Sequence, residues 1–263
     1  MPLIELKHVH KRFGKLVVLN DLNLTIEAGQ SLVIIGASGS GKSVMLKHIV
    51  GLLLPDRGEV WYDGKRIDTM KVRPLMEVRQ DFGFLFQMGA LFDSLTVGEN
   101  IAFPVIEHTG KATAEIQDVV AEKLALVGLP GIERKMPGEL SGGQRKRVAL
   151  ARAIALSPKV ILYDEPTTGL DPIRSDVINE LIIKLQRELK VTSIVVTHDM
   201  NSALKVADRV VMLFEGKLIF DGTPDALAAS DDERVKRFVA GEASPQELGA
   251  LTNPPPARAG DAA

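Results

Sequence analysis

Gly36-Ala37-Ser38-Gly39-Ser40-Gly41-Lys42-Ser43 decides the fold when it is read together with Leu140-Ser141-Gly142-Gly143-Gln144. The first string matches G-x-x-x-x-G-K-[ST]. It follows the apolar run Leu32-Val33-Ile34-Ile35, with Lys42 opening a helix, the strand–loop–helix context in which backbone N–H groups cradle phosphates. In the second string Ser141 reads as a helix N-cap, its two glycines allow close backbone approach, and an apolar-periodic helix follows (Val148, Ala151, Ile154, Ala155). A helix start presents free N–H groups and a positive dipole end, so it favours an anion. Two anion sites far apart in one chain predict two copies facing each other.

Bulk composition narrows the class. At 263 residues the chain makes one large domain or two small lobes, burying roughly 70–75% of its unfolded surface. A net charge of −2 leaves no electrostatic footprint for nucleic acid. There is no cysteine, so disulfides and thiolate metal sites are excluded and a reducing cytosol is permitted. Met1 to Leu6 shows no secretory signal. No apolar run approaches the roughly 20 residues that span a bilayer. Work at a membrane therefore implies docking to something that spans it.

Leu22, Leu24 and Ile26 alternate with polar residues, as in a half-buried strand, and Val60-Trp61-Tyr62 before Asp63-Gly64 reads as hairpin material. These fit an N-terminal antiparallel sheet. Leu32–Ile35, Val160-Ile161-Leu162-Tyr163 and Ser193-Ile194-Val195-Val196 suit parallel strands buried on both faces. Helices are predicted over 113–127, 142–156 and 176–189, the last with apolar Val177, Ile178, Leu181, Ile182 and Leu185. Val210–Leu213 and Leu218–Phe220 flank Glu215-Gly216 as a late hairpin. From Gly241 the composition turns to Ala, Pro and Gly, including Pro254-Pro255-Pro256, which reads as a flexible or partner-paired tail over 241–263.

The phosphate loop predicts that the N–H groups of Gly39 to Ser43 hold β- and γ-phosphates, that Lys42 adds charge and that the Ser43 hydroxyl reaches Mg²⁺. Asp164-Glu165 follows the strand 160–163. Neighbours at a strand end point to opposite sides, so Asp164 can hold Mg²⁺ through its water shell while Glu165 polarises the attacking water. An isolated Asp-Glu pair would be a solvated turn, a lone His198 a polar loop residue, and Phe13 as readily core under the N-terminal sheet as a stacking platform.

Taken together, Gly36–Ser43, Leu140–Gln144 and Asp164-Glu165-Pro166-Thr167-Thr168-Gly169-Leu170-Asp171 resemble the nucleotide-binding subunit of ABC transporters over about residues 4–239. The resemblance implies an α/β P-loop NTPase with an antiparallel β subdomain and a helical subdomain at about 88–157. An ABC ATPase domain then occupies 1–240. It implies that Phe13 stacks on adenine and that Gly36, Ala37, Ser38, Gly39, Ser40, Gly41, Lys42 and Ser43 bind ATP. It also implies that Gln87 touches Mg²⁺ and water, and that His198 contacts the γ-phosphate beside Glu165. Ser141, Gly142, Gly143, Gln144 and Asp171 then serve the nucleotide across a homodimer.

The segment Gly89-Ala90-Leu91-Phe92-Asp93-Ser94-Leu95-Thr96-Val97 resembles the ATPase subunit of Mla or MCE-type phospholipid transporters, as does Arg234-Val235-Lys236-Arg237-Phe238-Val239. The tail has no match in that resemblance. That subfamily implies integral-membrane permease partners, a small regulatory subunit, a periplasmic lipid-binding MCE protein, and a peripheral place on the cytoplasmic face of a bacterial inner membrane. Leu91, Phe92 and Phe103 read either as core or as an apolar face receiving a membrane subunit's helix. The competing readings are an amino-acid or other small-solute importer subunit, a soluble ABC ATPase acting on nucleic acid, and a pseudo-ATPase scaffold. The Gly89–Val97 string opposes the first, the single cassette without a long heptad insert the second, and the filled catalytic positions the third.

Overall fold

The computed structural model describes residues 2–243, so most of the Pro/Ala-rich tail lies outside the described residues. The chain begins with β1 (Ile4–Phe13) and β2 (Leu16–Ile26), an antiparallel pair joined by β4 (Arg57–Tyr62) and the short β5 (Lys65–Arg66) in the order β2-β1-β4-β5. Leu22, Leu24 and Ile26 are buried, and the polar residues between them are exposed. Pairing at the period of two sends one set of side chains inward.

The second sheet is parallel through β3 (Ser31–Ile35), β6 (Phe82–Leu85), β7 (Val160–Asp164), β8 (Thr192–Val196) and β9 (Arg209–Phe214). The strand β10 (Lys217–Gly222) closes it antiparallel to β9, in the order β10-β9-β3-β8-β7-β6. The continuous apolar runs have a direct cause. Val33, Ile35, Ile161, Tyr163 and Val195 face one core cluster. Leu32, Ile34, Leu162, Ile194 and Val196 face the other, beneath the N-terminal sheet. With both faces covered, no polar alternation survives.

Helix α1 (Lys42–Ile49) follows the phosphate loop, and α2 (Val72–Arg79) leads into β6. Next come α3 (Val97–His108), α4 (Thr113–Leu126) and α5 (Gly142–Ala153), which pack on one another. Thr96 and Glu99 form a reciprocal capping box at the start of α3. Helix α5 stops at Ala153, short of the expected residue 156, with Ile154 leaving helical geometry. Helix α6 (Pro172–Leu189) begins earlier than expected because the Asp171 carboxylate accepts from the Arg174 N–H and Pro172 takes the first helical position. Helices α7 (Met200–Val206), α8 (Pro224–Ala228) and α9 (Glu233–Ala240) complete the described chain.

Candidate functional site

The carboxyl ends of four neighbouring parallel strands lead into the candidate residues: β3 into Gly36–Ser43, β6 into Gln87, β7 into Asp164-Glu165 and β8 into His198. Open α/β sheets place ligands at this edge. Here it borders a cavity of about 960 Å³ whose wall includes Phe13, Lys42, Ser43, Gln87, Glu165 and His198.

Backbone geometry shapes the phosphate loop. Gly36 has φ +150°, and a Cβ there would lie 2.3 Å from the Leu213 carbonyl oxygen. Gly41, at φ +106°, caps α1, and a Cβ would crowd the Val18 carbonyl at 2.9 Å. Only glycine meets both demands. Lys42 is almost fully buried, its ammonium donating to the carbonyls of Gly36 (2.7 Å) and Ala37 (3.0 Å). Burial pushes its pKa down, and the charges of Glu165 and Asp164 pull it back up. The Ser40 hydroxyl is buried in this loop without a hydrogen-bond partner among the described residues, an unmet polar demand that a phosphate oxygen answers.

Ser43 Oγ donates to Asp164 Oδ1 at 3.1 Å. Burial raises the Asp164 carboxyl above its ordinary value, opposed first by that hydrogen bond. A hydroxyl and a carboxylate in contact are hard oxygen donors suited to Mg²⁺. Among the described residues no group of three or more His, Cys, Asp or Glu could hold a metal, so such an ion would draw further oxygens from a nucleotide and water. Glu165 takes left-handed backbone geometry at φ +51°, and its N–H donates to the Val196 carbonyl at 2.9 Å. Its Oε2 lies 2.9 Å from His198 Nδ1 and accepts from the Thr168 hydroxyl at 3.2 Å.

Phe13 ends β1 and is half exposed, with Lys11 Nζ over its ring at 5.6 Å from the centroid. The core reading of this ring is thereby removed. Ser141–Gln144 and Asp171 do not line the cavity. Ser141 Oγ accepts from the Gln144 N–H, and Gln144 Oε1 accepts from the Ser141 N–H, so both side chains cap their own helix. Leu170 and Arg174 pack beside Gly142 and Gly143, which gathers these residues on a surface of their own.

Two residues escaped the sequence reading. Lys146 on α5 is buried, and its ammonium donates to the backbone carbonyls of both Gln87 and Glu165. Asn100 is fully buried; it accepts from the Phe92 N–H at 2.8 Å and donates to the carbonyls of Phe92, Leu95 and Thr96. It thereby pins the loop after Gln87. Asn within a helix was a signal for Asn100, since its short amide competes for nearby backbone groups. That loop borders an apolar groove of about 470 Å³ lined by Met76, Phe84, Phe86, Phe92, Phe103 and Arg152. Phe92 and Phe103 pair with ring centroids 5.0 Å apart, whereas Leu91 packs partly buried against the core. The ambiguity over the three apolar residues thus divides: Phe92 and Phe103 on the groove, Leu91 inward.

A family model described as ABC transporter matches residues 19–168. Over 238 residues the chain is 47% identical to the "Probable ribonucleotide transport ATP-binding protein mkl" of Mycobacterium tuberculosis, covering 90% of this chain and 66% of that protein. The chain thus spans about two thirds of the length of these mycobacterial relatives. It is 45% identical over 240 residues to the "Intermembrane phospholipid transport system ATP-binding protein MlaF" of Haemophilus influenzae, covering 91% of each chain. Among solved structures, the ATP-binding cassette MJ0796, a dimer bound to ADP and Pi, superposes with a TM-score of 0.77 at 36% identity over 84% of this chain and 98% of that one.

Proposed function

We propose, from the premise that this chain belongs to the ABC transporter family, that it hydrolyses ATP as one half of a homodimer and drives phospholipid movement by a membrane-spanning partner. The observation that carries this reading is the meeting of Gly36–Ser43, Asp164, Glu165 and His198 at one sheet edge, where Lys42, Ser43, Glu165 and His198 line one cavity and Asp164 accepts from Ser43.

The N–H groups of Gly39 to Ser43 hold the β- and γ-phosphates, and Lys42 moves its ammonium from the Gly36 and Ala37 carbonyls onto phosphate oxygens. Ser43, Asp164 and Gln87 hold Mg²⁺, which when bound offsets negative charge on the phosphates. Glu165 accepts the proton of the attacking water. Thr168 and His198 both bear on Oε2 of Glu165, which leaves Oε1 without a protein partner among the described residues and open to that water. His198 also contacts the γ-phosphate, and Phe13 stacks on adenine. The Ser141–Gln144 helix start and Asp171 of the second copy close over the nucleotide. This division agrees with their position on a surface away from the cavity.

The lipid assignment rests on the Gly89–Val97 string and on the MlaF relatives. No helix of the described residues is long and apolar enough to cross a membrane. The aromatic groove beside Gln87 is, in this reading, where a permease helix seats. A small regulatory subunit and a periplasmic MCE protein complete the assembly, with this chain on the cytoplasmic face of the inner membrane. Small-solute transport is the second reading, favoured by the name of the mycobacterial relatives.

The test is purification of the complex from native membranes, mass spectrometry of bound proteins and lipids, and reconstitution in liposomes. ATP-dependent phospholipid transfer supports the reading. Movement of ribonucleotides or amino acids without lipid overturns the lipid assignment, and absence of ATP turnover overturns the whole.

A further inference from the structure

The wall of the large cavity is not complete with the residues named so far. Helix α9 and the residues after it, Arg237, Phe238, Gly241, Glu242 and Ala243, line it too. These come from the far end of the chain, outside the family match that ends at residue 168.

Several contacts fix α9 there. Asp232 caps the helix by accepting from the Arg234 N–H at 2.8 Å. Val235 is fully buried in the same core cluster as Met212 and Leu227. The Arg234 guanidinium lies over the Phe214 ring at 5.7 Å. At the other end, Gly241 turns left-handed at φ +69°, its N–H bonding the Phe238 carbonyl and the Glu242 N–H bonding that of Arg237. This closure satisfies the last carbonyls and turns residues 241–243 along the cavity wall.

The same contacts say which end of the cavity α9 meets. Phe214 enters the β9–β10 turn, whose Gly216 carbonyl accepts from the Asn20 N–H at 2.9 Å. Val18, two residues earlier on β2, lines the cavity, as does Phe13. Helix α9 is therefore anchored on the side of the cavity formed by the β1–β2 hairpin.

The charges on α9 are not equivalent. Arg234 is paired with Asp232 at 2.5 Å. Lys236 is within reach of Asp231 and Glu233. Arg237, the basic residue of this helix that lines the cavity, is only half exposed, and its guanidinium has no hydrogen bond or ion pair among the described residues. A guanidinium at the cavity wall with its donors unused offers them to a polar ligand in the cavity.

We propose that α9 forms a second wall of the nucleoside subsite in its own chain, with Arg237 and Phe238 holding the base and ribose against Phe13. This rests on the reading of the cavity as the ATP site. It adds that nucleotide affinity depends on the C-terminal helix as well as on the phosphate loop. Because the contact lies at the nucleoside end, it serves ATP and ADP alike.

The test is calorimetric binding of ATP and of ADP to the full-length chain and to three variants. Arg237→Met keeps most of the stem and removes the charge, and should weaken both nucleotides by about fivefold or more. Arg237→Lys should fall between. Lys236→Met removes the neighbouring charge on α9, which is exposed, outside the cavity wall and not one of the contacts that anchor the helix, and should stay within about twofold of the parent. Hydrogen exchange on the unmodified chain gives a second measurement that no folding defect can spoil: nucleotide should slow exchange across 233–242. Parent-like binding by Arg237→Met, equal losses in Lys236→Met and Arg237→Met, a loss for ATP but not ADP, or unchanged exchange in α9 would each overturn the proposal. A parent chain that binds neither nucleotide would instead overturn the ATP-site reading itself.

Discussion

His198 Nδ1 stands 2.9 Å from Glu165 Oε2, on the same oxygen that accepts the Thr168 hydroxyl. The imidazole is largely exposed and the carboxylate largely covered, with side-chain exposures of 63% and 12%. The carboxylate is thus gripped from one side, and its second oxygen is left without a protein partner among the described residues. Glu165→Gln keeps the shape and removes the base, so ATP turnover should fall about 10²-fold or more. Nucleotide binding should persist, and light scattering with ATP and Mg²⁺ should report a held dimer. Unchanged turnover would move the base elsewhere.

Phe13 is half exposed at the cavity rim, so its loss should spare the fold. Phe13→Ala should weaken ATP binding by roughly 1–3 kcal/mol if the ring stacks on the base. Phe13→Tyr should bind as the parent does. Calorimetry beside thermal melting checks both, and a collapsed melting temperature in the Ala variant would count against the stacking role.

Burial holds the Asp164 carboxyl above its ordinary 3.8, so the folded chain binds this proton more tightly than the unfolded chain. The associated stability is present below the unfolded value and is lost as pH rises through the folded one. At neutral pH the half-buried charge is a net cost that Asp164→Asn removes. Without nucleotide or Mg²⁺, that variant should melt above the parent at neutral pH, and the gap should narrow on acidification through the carboxylate range. A gap that widens on acidification would show that the charge is not the cause.

Ser141–Gln144 stand outside the cavity that Lys42 enters. A chain carrying Lys42→Ala mixed with a chain carrying Ser141→Arg should therefore recover one working site per mixed dimer. Turnover by the mixture but by neither variant alone is the expected result. No recovery would return both motifs to a single chain.

Phe92 lines the groove beside Gln87, while Leu91 packs against the core. Phe92→Glu should abolish phospholipid transfer by the reconstituted complex and leave nucleotide binding by the isolated subunit intact. Leu91→Glu should instead lower the melting temperature, because it pushes a charge toward apolar neighbours. Normal transfer by Phe92→Glu would remove that ring from the coupling surface.

The parallel strands and the phosphate loop were legible because their signals are local. Leu32–Ile35 is apolar throughout since its alternate residues feed two different cores. Asp171-Pro172 marks a helix start that a search for apolar periodicity alone placed too late. Lys146 was not legible. A lysine within an amphipathic helix reads as solvated, and its burial here depends on carbonyls 59 and 19 residues away in sequence. Arg237 was hidden for the same reason: only the docking of α9 on Phe214 and the core brings it to the cavity.

Lys146 has a mechanical consequence. Its ammonium is riveted to the Gln87 carbonyl, beside the aromatic groove, and to the carbonyl of Glu165, the residue proposed as general base. A buried cation cannot give up either acceptor without an uncompensated desolvation cost. The two loops therefore have little slack between them, and α5 supplies the rigid beam on which the rivet is mounted. A load applied at the groove is transmitted to the backbone of Glu165 through one amine, with few soft torsions in which to dissipate it. The joint between the two loops is made through backbone carbonyls, so it is insensitive to which side chains stand at either loop.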